Sequence, residues 1–370
     1  MALLELILQN FFSFVAIISL IVFVHEFGHF YVARLCGVKV DEFAIGFGRE
    51  LWGFRDKKGT RWKICLLPLG GYVKMHGDRN GASIPDFERI KHMSKEEKKK
   101  SFVGQNVYQR MAIVSAGPVS NLLLAIVIFT ILFRINGLNT VLPIVDAVMP
   151  ESAAFAANIQ KGDKVVAIDN KEIKDFEDIR AIISASNEKE MLFKIRRNDN
   201  IIEIKITPKI QLRKDFFGDD VKMPTIGIAA SQVDHQNLSL GQSFAQANIE
   251  TYDVSIAIFK TIGELIVGQK SVKELGGPIK IAKYSGKTVQ MGMMSVLWFM
   301  AMISINLGVM NILPVPVLDG GHLFYYIIEA VRGKALSPEA QRFGFRIGLI
   351  LILTLMAFTT VNDVVQIFSK

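Results

Sequence analysis

Four stretches of the chain are apolar over a long run: about residues 3–35, 111–135, 291–313 and 345–368. An α-helix rises about 1.5 Å per residue, so roughly 20 apolar residues cross a hydrocarbon core of about 30 Å. Each stretch therefore predicts a membrane-spanning helix. The fourth has the shortest unbroken run, 347–357, before Thr359, Thr360, Asn362 and Asp363. Residues 1–10 hold Glu5 and neither Lys nor Arg, with no small-residue cleavage site after them, so a removable leader is not expected. Residues 44–54 and 62–75 alternate apolar and polar positions around the turn Asp56-Lys57-Lys58-Gly59, which predicts a β-hairpin between the first two spans.

Residues 142 to about 208 read as a small α/β module. Strands are expected over 142–148 and 164–168, with a short helix opening at Glu151-Ser152-Ala153-Ala154 between them. A helix over 176–184 follows, then a hairpin of 191–196 with 201–206. Residues 241 to about 285 are helical in period and amphipathic, broken at Gly276-Gly277-Pro278. Helices lying along the outer membrane surface fit this pattern, the alternative being the coat of a soluble subdomain.

Composition agrees with the spans: half the residues are hydrophobic, 21% are charged and the mean hydropathy is +0.32, more apolar than soluble domains run. The net charge of +8 is unevenly placed. Residues 34–110 carry 17 Lys and Arg against 9 Asp and Glu, whereas 140–240 carry 14 against 16. Basic short loops face the cytoplasm, so the loop after span one and the 331–346 loop are placed there. The long soluble segment and both termini then lie outside. This use of the surplus charge leaves no case for a nucleic-acid partner. Cys36 and Cys65 fall on the reducing side and lack the spacing of a disulfide framework.

The chemistry concentrates in His25-Glu26-Phe27-Gly28-His29. Residues four apart share a helix face, so His25 and His29 can present imidazoles to one ion while Glu26 stands beside them to activate water. Ionisable groups inside a span are costly and point to function. The helix is about 50 Å long, which places the motif in its cytoplasmic part. A catalytic zinc takes three protein ligands and keeps one open position. The third is expected from the end of span three, Asn311-Ile312-Leu313-Pro314-Val315-Pro316-Val317-Leu318-Asp319-Gly320-Gly321-His322, where two prolines unwind the helix and Asp319 follows. His322 is the other candidate for that ligand. His76, His92 and His235 lie in polar loops and are expected to be exposed.

HExxH in a first span with Asn-x-x-Pro-x-Pro-x-Leu-Asp-Gly in a third resembles the site-2 protease family of intramembrane zinc metalloproteases, and more closely its RseP-type bacterial members. Pro68-Leu69-Gly70-Gly71-Tyr72, Ala116-Gly117-Pro118 with Asn121, and the Lys161-Gly162-Asp163-Lys164 segment of a PDZ-like module extend the resemblance over nearly the whole chain. Three departures stand out: Asn158 replaces a usual Gly, Tyr108 a frequent Trp, and one PDZ domain is evident instead of two. The resemblance implies Zn2+ held by His25, His29 and Asp319, Glu26 as general base and Asn311 as a substrate-backbone contact. It also implies single-span substrates such as anti-sigma factors or remnant signal peptides, already trimmed by an upstream protease, and a bacterial inner-membrane location.

The expected fold class is a polytopic α-helical membrane protein of four transmembrane helices, with a membrane-associated β-hairpin and an extracytoplasmic PDZ-like α/β domain. The expected division is 1–136 (spans one and two with the hairpin), 137–215 (PDZ-like), 216–290 (connecting strand and surface helices) and 291–370 (spans three and four). Two competing functions are a metal-binding membrane carrier and a PDZ-bearing scaffold with an inactive site. Glu26 beside two ligands favours hydrolysis, since a carrier has no need of that neighbour.

Overall fold

The computed structural model describes residues 2–78, 86–186, 188–214, 220–268 and 276–368, so residues 269–275 of the expected amphipathic stretch lie outside the described residues. The chain divides into two compact units, Met1–Leu132 with Phe244–Lys370, and Phe133–Ser243. Among the described residues, four helices are long and apolar enough to cross a membrane: Leu8–Leu35, Val107–Asn136, Met293–Ile312 and Pro338–Val365.

In the first unit, α1 (Ala2–Leu35) leads into β1 (Val40–Arg55) and β2 (Arg61–Met75). These form more than the simple hairpin predicted. Arg55 pairs with Arg61 and Trp52 with Ile64 near the turn, and Val40 pairs with Met75 at the far end. Glu42, Phe43, Ala44 and Ile45 each also have a second partner, among Arg61, Trp62, Lys63 and Ile64. The ribbon thus bends back on itself, with positive φ at Gly46, Gly48 and Gly70 where it turns. Phe43 stacks on Trp62 with centroids 4.3 Å apart, and Glu42 accepts from both Lys63 and Tyr72. Leu51, Trp52, Leu66 and Leu67 remain more than half exposed. Phe30, Ala33, Val40, Phe43, Val73 and Ile113 form one core joining α1, the ribbon and the second span. His76 is buried beneath it, against the expectation, because the chain after β2 is sutured to its neighbours. Its amide donates to the Lys39 carbonyl, its carbonyl accepts from Phe102 and its ring faces Asp41. Two short helices, α2 (Phe87–His92) and α3 (Lys95–Lys99), precede α4 (Val107–Asn136).

The second unit contains β3 (Leu138–Val141), β4 (Ala147–Val148), α5 (Ala153–Ala156), β5 (Lys164–Ile168), β6 (Lys171–Glu172), α6 (Phe176–Ser184), β7 (Met191–Arg197) and β8 (Asn200–Ile206). The strand order is β6-β5-β7-β8, over a core that includes Val165, Ile168, Ile179, Phe193 and Ile195. This is the strand–short helix–strand–helix–hairpin order of the PDZ resemblance. Of the strand predicted over 142–148 only β4 (Ala147–Val148) forms, while β3 ends at Val141, two residues before Pro143, which cannot donate a ladder hydrogen bond. Asn158 takes φ 57°, as its left-handed turn requires. The unit runs beyond residue 215, through β9 (Lys209–Lys214), β10 (Asp220–Thr225), β11 (Ile228–Ala229) and β12 (Val233–Gln236), because β11 pairs with β4 and β12 with β3. His235 lies exposed in β12.

The chain re-enters the first unit through α7 (Leu240–Ile266), α8 (Pro278–Met291), α9 (Met293–Ile312), α10 (Asp319–Arg332) and α11 (Pro338–Phe368). α8 packs against α1 and α9 and buries Ser285 and Thr288, so it is a structural partner of the first span and not only a surface helix. Its N-terminus is held by Asp363 of α11, which accepts from the Gly277 and Lys280 amides at 2.9 Å each.

Candidate metal centre

Sequence places His25 and His29 one turn apart, and packing makes that turn a site. α1 and α4 approach so closely that a Cβ on Gly28 would lie 2.3 Å from Ser120 Oγ, and one on Gly117 would lie 2.2 Å from His29 Nε2. Both histidines are 7% exposed. His29 donates its Nδ1 proton to the Ile113 carbonyl at 2.8 Å, a partner that can only accept, so Nε2 presents a lone pair. His25 Nδ1 lies 3.1 Å from the amide nitrogen of Asn121, a wholly buried residue of α4.

The third group arrives from α10. Between α9 and α10, residues 313–318 form tight turns around Pro314 and Pro316, with Val317 at φ 100°. The sequence suggested that Asp319 would sit on this unwound segment; it is instead the first residue of α10. Gly320 and Gly321 are helical. Added Cβ atoms there would lie 2.1 Å from the Ile312 carbonyl oxygen and 2.4 Å from that of Val315, so their bareness lets α10 start against the preceding turn. Asp319 Oδ2 thereby lies 3.1 Å from His25 Nε2 and 3.4 Å from His29 Nε2, and the two Nε2 atoms are 3.2 Å apart. Despite those distances this buried oxygen has no hydrogen-bond partner.

A nearly equilateral triangle of two imidazole nitrogens and an orphaned carboxylate oxygen fits a cation better than a hydrogen-bond network. Ligands bound tetrahedrally at 2.0–2.1 Å stand about 3.3 Å apart, close to all three edges. Among the described residues, His25, His29 and Asp319 are the group able to hold a metal, and His322 is not part of it. A cavity of about 300 Å³ opens beside the triangle, lined among others by Glu26, Tyr72, Asn311 and His322. Gly70, Gly71 and Val73 of β2 also line it, and a Cβ on Gly71 would lie 3.1 Å from Glu26 Cγ. Of the inward partners, Gly117 and Asn121 entered the sequence reading only through the family resemblance and without a role, and Ile113 not at all, because backbone approach and a single polar residue leave little trace in an apolar helix.

Four apolar helices around a buried two-histidine, one-carboxylate cluster, with a glutamate facing the same cavity, define a membrane protein built as a hydrolytic metalloenzyme is built. The Peptidase family M50 pattern matches residues 13–355, and the chain belongs to that family. It is 41% identical over 355 residues to "Putative zinc metalloprotease Atu1380" of Agrobacterium fabrum, covering 95% of this chain and 94% of that protein. It is 34% identical to "Metalloprotease MmpA" of Caulobacter vibrioides, covering 95% and 94% respectively. Among solved structures, the PDZ domain of an SdrC-like protein from Listeria innocua aligns with 26% of this chain and 99% of its own, at 21% identity and a TM-score of 0.21.

Proposed function

We propose that the protein is an intramembrane zinc endopeptidase that cuts single-span membrane proteins in or near their membrane segment. The observation carrying this reading is the 3.1–3.4 Å triangle of His25, His29 and Asp319 with Glu26 in the same cavity. His25, His29 and Asp319 would hold zinc, which would supply Lewis acidity toward water and the scissile carbonyl. Glu26 takes the proton from the attacking water and delivers it to the departing amide nitrogen. Asn311 holds the substrate backbone beside the triangle. The edge of β2 at Gly70–Val73 receives the unwound substrate as an added strand, since it borders the cavity. Substrates of the anti-sigma-factor or remnant-signal-peptide kind, trimmed beforehand by another protease, follow from the family resemblance. In this reading the protein sits in a bacterial inner membrane, with the PDZ-like unit and both termini outside and the basic loops inside.

The test is metal analysis of wild type and Glu26→Gln, with cleavage of a model single-span substrate measured on the same samples. Retained zinc with cleavage reduced about 10²- to 10⁴-fold is expected. Loss of zinc in the variant favours a carrier, and unchanged function favours a scaffold.

A further inference from the structure

His29 and His25 meet different kinds of partner on their outer nitrogens. The Ile113 carbonyl leaves His29 one tautomer. The only side-chain group recorded at His25 Nδ1 among the described residues is the Asn121 amide, which can donate or accept according to which way it faces. As placed, it points nitrogen at Nδ1 and leaves its own oxygen buried without a partner. Nδ1 must carry a proton for Nε2 to offer its lone pair toward Asp319 and His29. A half-turn of the amide lets Oδ1 accept from Nδ1–H, so that this oxygen is no longer orphaned.

Asn121 is well built for that task. It is 0% exposed, its backbone carbonyl accepts from Ser304 Oγ at 2.8 Å, and Gly308 leaves room for its Cβ at 3.4 Å from where a Cβ of its own would stand. Both contacts come from α9, the helix that leads through residues 313–318 to Asp319 at the start of α10.

We propose that Asn121 is a positioning residue for His25, its side-chain oxygen accepting the Nδ1 proton so that Nε2 is aimed at the cation shared with His29 and Asp319. This rests on the metalloenzyme reading above. The experiment is zinc affinity of the full chain in detergent, by competition with a chromophoric chelator, for wild type, Asn121→Asp and Asn121→Leu. Asp keeps an acceptor facing Nδ1, whereas Leu keeps the shape without one. Affinity within about threefold of wild type is expected for Asn121→Asp, and a 10- to 100-fold loss for Asn121→Leu. If the leucine variant does not fold, Asn121→Ala, which fits any space that held Asn, carries the same expectation. A Leu or Ala variant with wild-type affinity overturns the inference. So does equal weakening in the Asp variant, which would make the residue a packing element. Wild-type protein that binds no zinc overturns the metal reading itself, an outcome distinct from either.

Discussion

Replacing Gly117 by Ala sets two effects of opposite sign against each other. In an isolated helix the change is favourable by about 1 kcal/mol, because Ala loses less backbone entropy than Gly. In this helix the added carbon would stand 2.2 Å from His29 Nε2, 2.6 Å from His29 Cε1 and 2.9 Å from His25 Cε1. Ordinary contact begins near 3.4 Å, so the closest approach falls short by about 1.2 Å. Metal ligands tolerate about 0.2 Å, a sixth of that displacement. Either His29 swings off its position or α1 and α4 separate, and overpacking of that kind costs about 1–3 kcal/mol. The steric effect therefore wins at the site while helix content is preserved. Zinc affinity of Gly117→Ala is expected to fall at least about 100-fold, in line with the penalty for a 1 Å misplacement at a reacting centre. Circular dichroism should stay unchanged. Gly263→Ala is the matched control: nothing lies within 4 Å of its Cβ position, so stability should hold or rise by up to about 1 kcal/mol. A Gly117→Ala protein that binds zinc like wild type refutes the close-approach argument.

Burial raises the Asp78 carboxyl from the ordinary 3.8 to about 7, while the Met75 amide pulls the other way. The folded protein then holds a proton that the unfolded chain releases, so stability falls as pH rises from about 4 to 7 and stays low above. The full effect is on the order of 4 kcal/mol. Asp78→Asn should flatten that dependence, and unfolding temperatures at pH 5 and pH 8 that fall equally in both proteins would contradict it. Val317 is β-branched at φ 100°, a conformation costing about 1–3 kcal/mol. Val317→Gly should raise the unfolding temperature, and a lowered one would mean that its packing outweighs the strain. Arg197 pairs with Asp163, whose side chain is 1% exposed. Arg197→Ala leaves that carboxylate unpaired and should cost about 3 kcal/mol, read as faster hydrogen exchange across Lys164–Ile168.

Features set by local chemistry were legible in the sequence. The strand Lys164–Ile168 and the helix Phe176–Ser184 fall where alternation and helical period put them. The i, i+4 spacing put two imidazoles on one face of α1. Features set by distant contacts were not. The second partners of Glu42–Ile45 depend on the ribbon folding over, and a period of two carries no sign of that. Strands β11 and β12 are short and return to partners 80–98 residues earlier, so their hydrophobic pattern is too brief to read. His76 looks like a loop residue by its neighbours Gly77 and Asp78, and only the pairing of that segment with Lys39 and Phe102 buries it. The place of Asp319 at a helix start was hidden by glycines, which in sequence suggest loops and here permit crowding.

The two halves of the cation cluster lie at opposite ends of the polypeptide, His25 and His29 in the first helix and Asp319 almost 300 residues later. During biosynthesis the leading hydrophobic segment reaches the insertion machinery long before α10 has been translated. The nascent chain therefore carries its imidazoles and its base into lipid as an incomplete chelator. Under the proposed function, the site is complete only once the carboxy-terminal helices have docked on the first.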